Sequence, residues 1–437
     1  MEKRIFEMTD GIRGKVGEEP ITKPMMRCLG LSIAKYMPDG IILIGRDTRS
    51  SGIWIVKEIV AGLKSGGRTV WDVGIISTPG LAQLTRMNDK IISGIMVTAS
   101  HNPATDNGVK VFDRLGDKIT DAQELDIEAI IYSNPKPRRS GLGKVFQKPN
   151  LIDDYIEALA SIASNVDLTG LRVCIDSAAG GAYGIGRRVF ERLGAIVFEV
   201  GEEPDGENVN STGALTPEVV ATAVLDRGAD LGVSLDADAD RIIIVDETGR
   251  AWNGDRMLAA LAREFQVDRA IATEYSNLGA LNYIKSQGIS LDKVVVGDRE
   301  VARLAHELGA RLGGEQAGHI IDLNWLSSSD GVMVGIMFAT LIRSRGLPLS
   351  TLWPDYDDMP QQLWNIQVRE KAPLATIEGW VPALMERSQR LGTRGRVFAR
   401  YSGTEKKLRI LVECDDIDLL TDTGESLASI IQREIGL

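Results

Sequence analysis

The sequence predicts an α/β protein built from several related units, and three observations carry that prediction. Short strand-like apolar runs alternate with helical patterns along most of the 437 residues. Six of these runs end in loops of Gly, Ser, Thr, Asp or Arg: GIILIGRDTRSSG (40–52), IISGIMVTASHNP (91–103), LRVCIDSAAGG (171–181), ADLGVSLDADADR (229–241), RAIATEYSNLG (269–279) and ARLGGEQAGH (310–319). Two such loops recur per roughly 100 residues, which suggests one structural plan used three times, although residue identity between the units is weak. Ligands of open α/β sheets gather at the carboxyl ends of strands, so chemistry is expected in these loops.

In chain order, a first α/β unit spans 1–150 and closes in SNPKPRRSGLGKVFQKPN (133–150), a stretch rich in Pro, Gly and basic residues. The helical stretch IDDYIEALASIA then leads into a second α/β unit over 151–252. A softer boundary near Trp252–Asp255 opens a third over 253–364, which ends in WPDYDDMPQQLW (353–364). The remainder, 365–437, carries GRVFARYSG and KKLRILVEC and reads as a smaller α+β domain. A prior of ~150 residues per domain gives about three units, so four is a slightly finer division.

Composition excludes several classes of function. The chain is 43% hydrophobic and 25% charged, ordinary for a globular protein. A net charge of −11 argues against nucleic-acid binding, and a phosphorylated ligand would have to be captured by local arginine clusters against the overall field. The three cysteines (Cys28, Cys174, Cys414) offer neither a disulfide framework nor a CxxC knuckle. The three histidines (His101, His306, His319) nearly exclude a histidine-rich zinc site. MEKRIFEMTDGIRG has no signal-like apolar stretch and no later segment has membrane-spanning length, so a cytoplasmic enzyme without membrane contact is expected.

The strongest local signal is SLDADADRIIIVDETG (234–249), where Asp236, Asp238 and Asp240 alternate with alanine. An extended backbone would put all three carboxylates on one side. Such a set suits a hard divalent cation, Mg²⁺ before others, with phosphate oxygen completing the shell. An EF-hand is the rival pattern, and it fails because its sixth position is Arg241, where that loop needs Gly. A solvated acidic turn is the plainer alternative, but three carboxylates between apolar strands are costly to hold without a cation.

In TASHNP (98–103), Ser100 beside His101 raises the thought of a hydrolase triad. Adjacent residues at a strand end point to opposite sides, however, and no G-x-S-x-G elbow is present. Taken by itself, Ser100 is as compatible with a plain turn, and Lys110 is either a surface lysine or a proton donor or acceptor near the serine. RYSGTEKKLR (400–409) combines guanidinium groups, hydroxyls and flexible backbone in Arg400, Ser402, Gly403, Thr404 and Arg409, the usual parts of a phosphate cradle. GGEQAGH (313–319) presents Glu315 and His319 as hydrogen-bonding groups for sugar hydroxyls, or else forms a tight turn. TDGIRG (9–14) and GRDTRSSG (45–52) add Arg13, Arg46 and Arg49, residue types that are more often surface partners.

Taken in order along nearly the whole chain, TDGIRG, TASHNP, DADADR, GEQAGH and RYSGTE resemble the loops of the α-D-phosphohexomutase superfamily. The resemblance implies three related α/β domains and a smaller fourth around a central cleft, each contributing one loop. It implies that Ser100 carries a phosphoryl group, donates it to a sugar monophosphate, and recovers the other phosphate after the bisphosphate turns around. Asp236, Asp238 and Asp240 would hold Mg²⁺ against phosphorylated Ser100, with Arg13 and Arg241 adding positive charge. Lys110 and His101 are the implied proton-shuttle residues, Lys110 before His101. Gln316 and Arg299 join Glu315 and His319 as sugar-side residues, and the 400–409 loop would hold the far phosphate in both orientations.

DNGVK after the serine loop, Gln316, VGDRE (296–300) and PDGENVN (204–210) look most like the branch that interconverts glucosamine 6-phosphate and glucosamine 1-phosphate, with hexosamine 1,6-bisphosphate as intermediate and activator. The mannose and glucose branch is the alternative, and a monomer or homodimer is expected. The chain departs from the family pattern at Ala317, where serine is usual, and at Lys406, where proline is usual. The metal loop has alanines where glycines are common. Such departures leave room for a phosphosugar-binding paralogue without turnover. A metal-dependent phosphatase would share the aspartates but has no use for a phosphate-retaining loop.

Overall fold

The computed structural model describes residues 5–6, 11–138, 141–402 and 406–437. The expected mixed α/β architecture is present, organised as four sheets of six, five, four and three strands. The first sheet has the order Ile12–Lys15, Asp106–Phe112, Ile91–Val97, Ile41–Arg46, Thr69–Ile75, Val145–Gln147. The last four of these are parallel neighbours and the first two pair antiparallel. Strands IILIGR and IISGIMV are apolar nearly throughout because helices cover both faces of the sheet centre.

The second sheet runs Ala251–Trp252, Ile242–Asp246, Leu231–Leu235, Arg172–Asp176, Ile196–Val200, and the third runs Ser290–Val294, Arg269–Thr273, Leu312–Gly314, Ile320–Asp322. The C-terminal sheet, Gln361–Gln367, Lys407–Cys414, Gly395–Tyr401, is wholly antiparallel and is covered by helices Trp380–Leu391 and Ile417–Ile435.

One device recurs. The 98–105 loop joins the antiparallel pair Ile91–Val97 and Asp106–Phe112, and 236–241 joins Leu231–Leu235 to Ile242–Asp246. Likewise 315–319 joins Leu312–Gly314 to Ile320–Asp322. The serine, aspartate and GEQAGH motifs are thus the same hairpin used three times, which is the physical content of the weak repeat in the sequence.

One hydrophobic cluster runs from Leu43 through Val173 and Leu235 to Phe338 and Leu352 and joins the first three units, while each of them keeps a further cluster of its own, around Ile42, Val224 and Val301. Helix Gly331–Arg345, sequentially in the third unit, lies on the second sheet and against helix Leu151–Ile162. Its capping residue Asp330 accepts from Val332 and Met333 N–H (both 3.1 Å) and from the buried Tyr155 hydroxyl (2.8 Å). The C-terminal unit has a separate core around Trp380, Leu408, Ile410, Val412 and Leu427. Among the described residues, no helix is long and apolar enough to cross a membrane.

The C-terminal unit joins the third through polar and aromatic contacts at the loop after Arg269–Thr273. Asn277 N–H donates to Asp255 Oδ2 (2.7 Å) and Leu278 N–H to Glu413 Oε1 (3.1 Å). Arg396 pairs with Glu413 and donates to the Ser276 carbonyl (2.5 Å). Burial, with Glu413 and Asp358 adding repulsion, pushes Asp255 from 3.8 up to about 7. Between those two values the folded protein therefore holds a proton there that the unfolded chain has lost. The stabilisation from that proton is complete below the unfolded value and disappears as pH rises through about 7. Asp255→Asn keeps an acceptor for Asn277 and cannot ionise, so its stability should gain on the parent by roughly 2–3 kcal/mol between about pH 5 and pH 8. Thermal melts across that range check this; a gap that stays constant with pH contradicts it.

Candidate functional site

Ser100 lies in the left-handed region (φ 49°), a conformation that a serine rarely takes without support. The support is Arg49, fully buried and held by Asp47 (3.0 Å). Its guanidinium donates to the carbonyls of Ser100 (2.8 Å), Asn102 (2.7 Å), Pro103 (2.5 Å) and Asp106 (3.1 Å). Thr98 Oγ1 donates to Asp47 Oδ2 (2.7 Å) and accepts from Ser100 N–H (2.9 Å). The loop is thus shaped by a buried ion pair rather than by its own turn residues. One expectation is corrected here: Ser100 and His101 do not point apart. Ser100 Oγ lies 3.2 Å from His101 Nδ1, because a left-handed residue breaks strand alternation.

Ser100 Oγ donates to Asp236 Oδ2 (3.0 Å) across the boundary between the first two units. Asp236, Asp238 and Asp240 are all buried, with one oxygen of each within 4.8 Å of the others. The convergence comes from a turn, not from the extended backbone expected: Ala239 N–H bonds the Asp236 carbonyl (3.0 Å) and Ala239 sits at φ 59°. That conformation is the one glycine takes at little cost, so alanine here holds about 1 kcal/mol of strain. Gly180 lets the neighbouring loop lie against the turn; a Cβ there would stand 2.1 Å from the Ala237 carbonyl oxygen.

Lys110 Nζ reaches both Asp238 Oδ2 and Asp240 Oδ2 at 2.8 Å. It stands on Asp106–Phe112, opposite Met96, while Arg13 on the adjacent strand faces Gly108 and donates to Asn102 Oδ1 (3.4 Å). Thr78 donates to Asp238 Oδ2 (2.6 Å), and Asp238 Oδ1 is buried with no hydrogen-bond partner among the described residues. Burial, then Asp240 and Asp238, hold the Asp236 carboxyl well above its usual range. Three buried carboxylates against one lysine, with an acceptor oxygen left over, form a set that can hold a metal ion.

The third hairpin adds Glu315 and His319. His319 Nε2 accepts from Arg241 Nε (3.0 Å), so Nδ1 carries the proton and donates to the Asp240 carbonyl (2.8 Å). Arg241 N–H also donates to Asp236 Oδ1 (3.1 Å). Glu315 Oε2 accepts from Gly297 N–H (3.3 Å) and its Oε1 is 3.6 Å from His319. Gly254 underlies the loop, since a Cβ there would stand 1.9 Å from the Glu315 carbonyl oxygen. Gln316 is half-buried and Ala317 exposed. His101 is held low, at about 4, by burial and then by Arg241 and Arg13, so its ring is neutral near neutral pH.

Arg299 is not in this group. Its guanidinium binds Asp121 (2.9 Å), Glu124 (3.5 Å) and the Ile119 carbonyl (2.6 Å), tying the third unit to the first, beside a Lys118–Asp298 pair (2.8 Å). In the C-terminal hairpin, Arg400 and Arg409 are direct cross-strand partners. Like charges so placed are destabilising unless an anion lies between them. Arg400 Nε is buried with no partner among the described residues, and its guanidinium lies 5.1 Å from the Tyr275 ring. Ser402 is buried and its carbonyl accepts from Lys371 (2.7 Å). Gly403 and Thr404 lie outside the described residues.

Sequence reasoning missed Asp47, Thr98, Thr78 and Asn210, and it rated Arg49 low. Asp47 and Arg49 are visible in GRDTRSSG, where a buried pair two residues apart is hard to tell from a surface pair. Thr78 acts across a unit boundary, and its own segment gives no sign of that.

Family comparison matches the chain in four consecutive segments. These are the phosphoglucomutase/phosphomannomutase alpha/beta/alpha domains I (residues 4–138), II (153–249) and III (253–358) and the C-terminal domain (363–429). The phosphoglucosamine mutase of Nitratidesulfovibrio vulgaris is 37% identical over 451 residues, covering 100% of both chains. That of Geotalea daltonii is 36% identical over 450 residues, covering 99% of each. Among solved structures, a phosphoglucomutase/phosphomannomutase family protein from Burkholderia thailandensis superimposes with a TM-score of 0.83 at 21% identity over 100% of both chains. An Aspergillus fumigatus N-acetylphosphoglucosamine mutase in complex with GlcNAc-6P and magnesium gives 0.65 at 19%, covering 98% of this chain and 96% of that one.

Proposed function

Since the chain belongs to the phosphoglucomutase/phosphomannomutase family and is a phosphohexomutase, we propose that it interconverts glucosamine 6-phosphate and glucosamine 1-phosphate through phosphorylated Ser100 and a hexosamine 1,6-bisphosphate. The observation that carries the proposal is Ser100 Oγ at 3.0 Å from Asp236, beside buried Asp238, Asp240 and Lys110 and half-buried Arg241. The sugar preference is supported by full-length relatives named phosphoglucosamine mutase.

Asp236, Asp238 and Asp240 would hold the cation, and the orphaned Asp238 Oδ1 together with the excess of buried negative charge fits that use. Bound there, Mg²⁺ would supply electrostatic stabilisation of the transferring phosphoryl group. In the first half-reaction a sugar hydroxyl oxygen forms a bond to the phosphorus on Ser100, the P–Oγ bond breaks, and the proton lost by the sugar hydroxyl returns the released Oγ to a serine hydroxyl. Neutral His101, beside Oγ, is suited to take or return a proton there. Lys110, between two carboxylates, is better suited to hold positive charge near the phosphoryl oxygens, which reverses the order of preference between the two. Glu315 and His319 would bind sugar hydroxyls.

Arg400 and Arg409 would hold the distal phosphate, in one fixed site for both orientations of the intermediate. Arg409→Ala is then expected to raise KM by about 10- to 100-fold with kcat changed far less, because a charge-assisted phosphate contact is worth roughly 1.5–3 kcal/mol. Steady-state kinetics check this, and an unchanged KM places Arg409 outside the phosphate site.

The test of the substrate is kcat/KM measured side by side for the phosphates of glucosamine, N-acetylglucosamine, glucose and mannose, with glucosamine expected to lead. A clear preference for glucose or mannose overturns the assignment.

A further inference from the structure

The PDGENVN run (204–210) has no part in the chemistry above, yet its last residue touches both central loops. Asn210 belongs to the second unit and takes the left-handed conformation (φ 60°), its own N–H bonded to the Ala178 carbonyl (3.0 Å). Its Nδ2 donates to the carbonyls of Ser100 (2.9 Å) and Asn102 (3.1 Å). Its Oδ1 accepts from the N–H of Ala237, the residue between Asp236 and Asp238 (3.0 Å). The Ser100 and Asn102 carbonyls are two of the four that Arg49 holds from within the first unit. Arg49 shapes the serine loop, while Asn210 fixes where that loop stands relative to the aspartates.

We propose that Asn210 is a positioning residue that sets the distance between the Ser100 phosphoryl carrier and the cation-binding aspartates by bonding the backbones of both loops. The assignment rests on Ser100 and Asp236, Asp238 and Asp240 having the roles proposed above. Only an amide serves at this position. An aspartate would keep an acceptor for Ala237 but turn a carboxylate oxygen on two carbonyls, and a glycine would keep the left-handed backbone and lose both links. The rest of the run is built to deliver the amide. Gly206 O accepts from Ser50 N–H (3.1 Å) and Ser50 Oγ donates to Glu207, which docks the run on the first unit next to Arg49.

The test compares Asn210→Gly and Asn210→Asp with the parent in two assays. In turnover on glucosamine 6-phosphate, kcat should fall about 10- to 100-fold in both variants while KM stays within about twofold, since misplacement by an ångström acts on transfer rather than on binding at the distal phosphate. In thermal melts of the dephosphorylated protein titrated with MgCl₂, the concentration giving half of the stabilisation should rise several-fold. A general loss of stability would lower all melting temperatures without moving that midpoint. Parent-like kcat and MgCl₂ midpoint in Asn210→Gly overturn the proposal. Should Asn210→Gly fail to fold, Asn210→Asp decides alone by the same two readings. A parent that turns over no hexose phosphate would defeat the proposed function, and the MgCl₂ midpoint would still decide whether Asn210 joins the two loops.

Discussion

Ser100→Ala should abolish isomerisation, lowering kcat by about 10⁴-fold or more, while phosphosugar binding stays close to the parent's. The size follows from the chemistry: without Oγ there is no atom to carry the phosphoryl group between the two half-reactions. Binding survives because the proposed phosphate and sugar contacts come from the other hairpins, at Arg409, Glu315 and His319. The fold should survive as well, since the loop is held through the Ser100 backbone by Arg49, Thr98 and Asn210 and not through its hydroxyl. Calorimetric titration with glucosamine 6-phosphate beside a coupled assay checks both halves. Residual turnover within about tenfold of the parent would show that phosphate passes by another route.

Lys110→Met is expected to have the second largest effect. The ammonium is 2% exposed and lies between Asp238 and Asp240, so its removal leaves buried carboxylates without their cation. Breaking a buried pair in this way costs about 3–5 kcal/mol. Stability without metal should therefore fall by that order, and MgCl₂ should restore more of it in the variant than it adds to the parent. Turnover should fall by about 10²- to 10⁴-fold, because the charge proposed to face the phosphoryl oxygens is lost. A variant with a parent-like melting temperature and parent-like kcat would place Lys110 outside the reacting cluster.

The architecture was legible because the central strands announce themselves by apolar runs and the site loops follow such runs directly, as IISGIMV precedes TASHNP and LGVSL precedes DADADR. Ser100, Lys110, the three aspartates, Arg241 and His319, all from motifs visible in the sequence, lie together in the fold. What sequence could not give was anything decided between units. Arg299 resembles a substrate residue within VGDRE but is engaged by Asp121 and Glu124 from a helix far away in the chain. Helix Gly331–Arg345 packs on a sheet made by earlier residues, and its own sequence, apolar nearly all round, does not say which. Thr78 and Asn210 look like ordinary turn and cap residues until a neighbouring unit meets them. The left-handed residues Ser100 and Ala239 escaped for a related reason: both stand against local preference, Ser100 with its carbonyl held by Arg49 and Asn210 and Ala239 with its carbonyl bonded by Gly331 N–H.

The central claim is that Ser100 carries the phosphoryl group, and one measurement addresses it most directly. The parent and Ser100→Ala are incubated with glucose 1,6-bisphosphate and MgCl₂, and their intact masses and peptide maps are recorded. The account predicts the mass of one added phosphoryl group on the parent, located at Ser100, lost on addition of glucosamine 6-phosphate, and absent from the variant. A parent that gains no phosphate, or carries it on any other residue while isomerising the sugar, would contradict it.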